Sequence, residues 1–302
     1  MNQTLSLCFS LLFLTNSLSA QDYIEYFNLC NQADKDIYFE RYDSALIKLE
    51  KAFAGVDYVH AENYQKASES AMQLQNLPQA YQYAKAAILN GMSNEFWREK
   101  TFKALKSSEY YPFINDSLPI WREQHLQSIH LEYQSLIDSL YYLDQRVIRK
   151  NLSVKGDYKI DRAIIPENRF DLDTSLFKTL LMAVERWGFP SEELVGFEAF
   201  DKVWVLFHHN VRLPENHGYF PLLEAAVKAG KYRPSDFAWT YDQGMMFNGE
   251  KPKFYYGVGL PREMTPELAA QIDANRKQMG IKPLESMEVT TKGRKTTTRF
   301  LW

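Results

Sequence analysis

Cysteine is nearly absent from these 302 residues: there are two, Cys8 and Cys30. If the first twenty residues are removed, Cys30 stands alone. A single cysteine makes no internal disulfide, so the fold must rest on its core. No apolar run beyond residue 20 is long enough to cross a bilayer, which excludes a spanning helix from the mature chain. An excess of one charge is missing too. Thirty-five Lys and Arg face 38 Asp and Glu, a formal net charge of −3, which offers no basic surface to nucleic acid or to an acidic membrane. There is no Gly-x-Ser-x-Gly elbow, no Walker loop and no paired-cysteine motif, and the Gly257-Val258-Gly259 doublet is a fragment of no complete motif.

What is present begins with an address. MNQTLSLCFSLLFLTNSLSA carries no charged side chain. Its apolar run, Leu5 to Leu14, is too short to span a membrane and ends in small residues at Ser19-Ala20, the order of a secretory signal peptide. Residues 1–20 are therefore expected to be removed, placing the protein in a secreted or periplasmic setting with no membrane insertion afterwards.

The next segment repeats itself. FERYDSALIKLEKAF (39–53) aligns with LQNLPQAYQYAKAAI (74–88) at an offset of 35, placing Ala45 on Ala80, Leu49 on Ala84 and Ala52 on Ala87. Small residues at fixed positions let helices approach closely, and the period is near that of the tetratricopeptide repeat, which residues 21–106 resemble. SSEYYPFINDSLP (107–119) reads as a break, so 107–125 is taken as a linker. Beyond it, Ile129, Tyr133, Leu136 and Leu140 form one helical stripe, as do Leu176, Leu180, Val184 and Trp187 behind a capping Asp173. Helices are expected to about Ala229, over 236–247 with Ser235 as cap, and over 265–280. KPKFYYGV (251–258) is the best strand candidate, and the tail, 285–302, alternates around Lys292-Gly293 and is either a hairpin or a frayed tail. The expected fold is mainly α: helical-repeat hairpins, then a helical domain over 126–284 with a small β element near the C-terminus.

FHHNVRLPENHGYFP (207–221) holds three of the six histidines. Neighbouring helical residues diverge by about 100°, so His208 and His209 do not grip one metal from a regular turn. His125 and His130 are five apart, His217 lies across a loop, and no cysteine or carboxylate stands beside them at metal spacing. No metal and no cofactor are expected. On a helical wheel His208 flanks the stripe of Phe200, Trp204 and Phe207, while His209 shares the opposite face with Glu198, Asp201 and Lys202.

Several short motifs occur in one order: Asp144-Gln145, WGFP (187–190), Val195-Gly196, His208-His209, YDQGMMFNGEKPKFYYG (241–257) and IDANRKQMGIKPL (272–284). That order resembles an uncharacterised bacterial domain family often found in secreted proteins, over residues 126–284. The family pattern has Gln-His at 208–209, Asp-Arg at 242–243 and Gln-x-Tyr-Gly-Thr-Gln at 254–259. Here Phe254, Val258 and Gly259 replace polar residues, while His209, Asp242, Tyr256 and Gly257 remain. The resemblance marks His208, His209, Asp242, Tyr256 and Gly257 as binding candidates and implies no reaction. A carboxylate orienting an imidazole is the centre of general acid–base chemistry, so His209 and Asp242 are also the catalytic candidates. Two readings follow. One is a non-catalytic binding scaffold whose repeat arm holds a protein or peptide. The other is a hydrolase-like enzyme using a His209/Asp242 pair.

Overall fold

The computed structural model describes residues 22–92, 103–148, 169–211, 218–247, 255–258, 265–291 and 294–301. The signal-like segment, His217, residues 154–168 of the 154–170 stretch that the sequence suggests is irregular, and the start of a helix expected from Phe96-Trp97 to Leu105 lie outside these residues, while 169–170 already belong to a helix. The protein is mainly helical.

Four helices form two hairpins: α1 (Tyr23–Tyr38) with α2 (Tyr42–Phe53), and α3 (Ala61–Gln73) with α4 (Leu77–Leu89). Asp22 caps α1 by accepting the Glu25 N–H at 2.9 Å, and Asn76 caps α4 by accepting from Gln79. The offset of 35 reappears in the backbone. Glu40 and Gln75 both take left-handed φ, +57° and +59°, and the turns close alike, Arg41 N–H on Asp36 O at 2.8 Å and Asn76 N–H on Ala71 O at 2.9 Å. Ala45, Ala80, Ala84 and Ala87 are fully buried. Substituting Leu at Ala45 or Ala80 should therefore cost about 1–3 kcal/mol by overpacking, read as a shifted urea midpoint at unchanged slope. Full stability in both variants would mean that the helices do not cross closely there.

The expected linker is not a break. After the short α5 (Lys103–Lys106), α6 runs over Tyr110–Ser128, with Pro119 inside it. Proline removes one helical N–H and crowds the preceding turn, a cost near 3 kcal/mol that tertiary packing must offset. Ile114 and Trp121 supply it by burying against α4, where Tyr81 stacks on Tyr110 at 5.2 Å and Lys85 lies over the Trp121 ring at 5.6 Å. Asn115 and Asp116, which suggested a break, sit on the exposed side.

α7 (Leu131–Ile148) buries Tyr133, Ile137, Leu140 and Asp144, so Ile137 takes the place expected for Leu136, and Ile129 precedes the helix. α8 (Arg169–Trp187) starts before Asp173, which is thus interior and not a cap, and Gly188 ends it at φ +89°. Ser191 caps the single turn α9 (Glu192–Val195), and α10 (Phe197–Asn210) follows across Gly196. α11 (Phe220–Lys228) stops at Gly230. α12 (Pro234–Phe247) begins one residue before Ser235, which therefore sits in its first turn. α13 (Pro266–Gln278) is capped by Thr265. Within the expected strand, the described residues 255–258 form a bend and a turn; side-chain anchoring, described below, overrides their β propensity. Glu285–Thr291 and Arg294–Leu301 pair antiparallel as β1 and β2.

Candidate functional site

His208-His209 does end a buried helix, α10, whose Phe200 and Phe207 are nearly sealed from solvent. His209 pairs with Asp144 of α7, its Nδ1 lying 2.8 and 2.9 Å from the two carboxylate oxygens. This corrects the expected His209–Asp242 pair. The face that carries Lys202 and His209 packs along α7, so Lys202 meets Asp138 at 2.6 Å and His209 meets Asp144 two turns on. Asp144 is buried and also accepts from the Gln145 side-chain amide at 2.9 Å. His208 packs on Trp204, ring centres 4.9 Å apart.

Asp242 has a different task. Its carboxylate accepts the Tyr256 N–H at 3.1 Å and the Val258 N–H at 2.8 Å, clasping the 255–258 turn in which Gly257 takes φ +71°. Arg276 of α13 completes the clasp, its Nε donating to Tyr256 O and its Nη1 to Lys282 O, both at 2.6 Å. Burial pushes the Asp242 carboxyl up to about 6, outweighing the N–H donors that favour its charge. A raised folded-state value means stability present below the unfolded pKa near 4 and lost as pH rises through about 6. Wild type should therefore exceed Asp242→Asn in stability by more at pH 4 than at pH 7, by on the order of 2–3 kcal/mol for a two-unit shift. Urea midpoints at the two pH values measure this; an advantage that grows toward pH 7 would show that the donors prevail over burial.

The hairpins and the C-terminal helices meet along α1 and α3. Tyr23 lies where a side chain on Gly230 would be, and Phe27 Cβ would be 2.7 Å from a Cβ on Gly280; both glycines have positive φ. Asn31 donates to Gly280 O at 2.8 Å. Beside this seam Glu192 is 1 % exposed, yet its carboxylate is fully engaged. Oε1 accepts from the Ala61 N–H at 2.7 Å and the Tyr58 hydroxyl at 3.2 Å, and Oε2 lies 2.9 Å from His60 Nδ1. With a carboxylate as partner, Nδ1 carries the proton. The His60 ring is held between Phe27 and Phe200, each 5.9 Å away, and its Nε2 is buried with no hydrogen-bond partner among the described residues.

Next to His60 opens a cleft of about 330 Å³, walled by α1 and α3 on one side and by α12, α13 and the turns at 258 and 280–282 on the other. Lys66 lies 2.9 Å from Asp34 and 3.1 Å from Glu62. Burial opposes its ammonium, but Glu62 and Asp34 hold its pKa above the ordinary value, and Lys66 in turn draws Glu62 down. Arg233 pairs with Asp201 at 2.6 Å and lies over Phe200. Burial pushes the Cys30 thiol up to about 12, so the cysteine in this cleft is no thiolate nucleophile.

No protein-family model matches this chain, and no curated protein or solved structure is significantly similar to it. Among the described residues no group of three or more His, Cys, Asp or Glu is placed to hold a metal, and no helix is long and apolar enough to cross a membrane. Within the motif-bearing segments Asp144 meets His209, and Asp242 meets Tyr256 and Val258 beside Arg276. His60, Glu192, Lys66 and Arg233 belong to no short motif. The one signal for them in the sequence is composition, charged residues set within apolar helical faces.

Proposed function

We propose that this is a secreted or periplasmic, non-catalytic binding protein: a tetratricopeptide-like arm joined to a helical domain of an uncharacterised bacterial family with a small β element after it, holding a small ligand where arm and domain meet. The observation that carries the reading is the 330 Å³ cleft, within the size range of ligand sites and walled by ionised groups of both signs without an activated nucleophile. The paired turns at Glu40 and Gln75 support the repeat reading of the arm. Because the Tyr23–Asn31 part of α1 is covered by the domain, a protein or peptide partner is left the outer end of the hairpin, where Tyr38, Phe39 and Ile47 are exposed. No nucleic acid is expected there.

The test is thermal unfolding in the presence of a small-metabolite extract. The extract should raise the Tm of wild type and not that of Ser235→Trp, which fills the cleft from an exposed position. No shift in wild type overturns the reading. The hydrolase alternative now rests on His209–Asp144, a buried carboxylate orienting an imidazole whose side chain is 18 % exposed. Turnover of an ester or amide substrate that is lost in His209→Ala and unchanged in Ser235→Trp would favour it over a binding role.

A further inference from the structure

The two walls of the cleft differ in charge. On the arm, Asp34 and Glu62 outnumber Lys66, leaving one net negative charge; on the domain, Arg276 and Lys282 line the cleft beside Arg233, which Asp201 already pairs, with no carboxylate among the lining residues. We propose that the cleft binds a small zwitterion of the amino-acid type, a free α-amino acid or a dipeptide, its carboxylate toward the domain wall and its ammonium toward the arm wall. The inference rests on the cleft being the ligand site and adds the class of ligand.

Three observations support it. Burial at Arg276 lowers its pKa to about 10, only partly opposed by Asp273 and Asp242, so a further anion on that wall is favoured. Lys282 stands half-buried at the rim with no ion pair among the described residues, available to a carboxylate. On the arm wall, Asp34 and Glu62 share one ammonium, and the Nδ1-protonated His60 leaves Nε2 as an acceptor, so that side suits a donor with positive charge. Phe27 and Trp239 add apolar surface for a ligand side chain. A neutral ligand would leave both walls unanswered, and a dicarboxylate would meet the arm's like charge.

Isothermal titration of the mature chain with L-leucine and with the dipeptide Gly-Leu tests the class, with uncharged N-acetyl-leucine amide, succinate and 1,4-diaminobutane as controls. One of the zwitterions should bind with micromolar Kd and the controls at least tenfold more weakly. Lys282→Glu and Glu62→Gln should each weaken it tenfold or more, with circular dichroism confirming that both remain folded. The proposal is overturned by equal binding of the uncharged amide, or by no binding of either zwitterion. If neither zwitterion binds while the metabolite extract still stabilises wild type and not Ser235→Trp, the ligand class is wrong and the ligand site stands. If the extract also fails, both fall.

Discussion

Replacing Glu192 by alanine should destabilise the protein by about 3–5 kcal/mol, because it strands three hydrogen-bond donors in a buried site. The carboxylate serves three donors from the arm: the His60 ring, the Ala61 N–H and the Tyr58 hydroxyl. All three face a site nearly sealed from water, so truncation leaves buried donors unpaired, and each such group carries a desolvation cost of about 1–3 kcal/mol. Glu192→Gln should cost less, because the amide oxygen can still accept from Ala61 while its NH2 opposes the donors at Oε2. Urea denaturation gives both values. If the alanine variant lost under 1 kcal/mol, Glu192 would not be fastening the arm to the domain.

Gly230→Ala should cost about 2–5 kcal/mol, combining overpacking of about 1–3 kcal/mol with about 1–2 kcal/mol for a β-carbon in the left-handed region. Gly230 has φ +69°, and its missing side chain is the space into which the Tyr23 ring of α1 fits. Gly188→Ala is the control. Its φ is +89° with nothing within 4 Å of an added Cβ, so it should show the backbone cost alone. Equal losses in the two variants would mean that α1 yields easily and that the seam between arm and domain is loose. A larger loss at Gly230 would show that the first helix is packed as part of the domain's core.

This seam changes how the helical arm reads. From the sequence, residues 21–106 suggest an independent unit with a free binding surface. In the structure, α1 lies on the turns at Gly230 and Gly280, and the arm supplies one wall of the cleft. The binding candidates named by motif order are distributed differently. Asp242, Tyr256 and Gly257 shape the turn that bounds the cleft through Val258, while His209 belongs to the seam between α7 and α10.

By itself the sequence determined the local elements. The 35-residue offset marked paired helices because small residues recur at the same positions. Gly188, Gly230 and Gly280, each just past a helical stripe in the sequence, are helix stops because glycine takes left-handed backbone without strain. The wheel placed His209 on the face of Lys202 because helical period fixes which side chains share a side. Tertiary structure decided what those faces meet. Period says nothing of the neighbouring helix, so Asp144 and not Asp242 became the partner of His209. Likewise Pro119 and the polar run before it signalled a break on local propensity, and the burial of Trp121 and Ile114 against α4 outweighed that signal. The His60–Glu192 joint spans 132 positions, and the cleft beside it draws on five separate segments. Charges that distant in the chain have no spacing to read; only the packing of α1 and α3 against α12 and α13 brings them to one place.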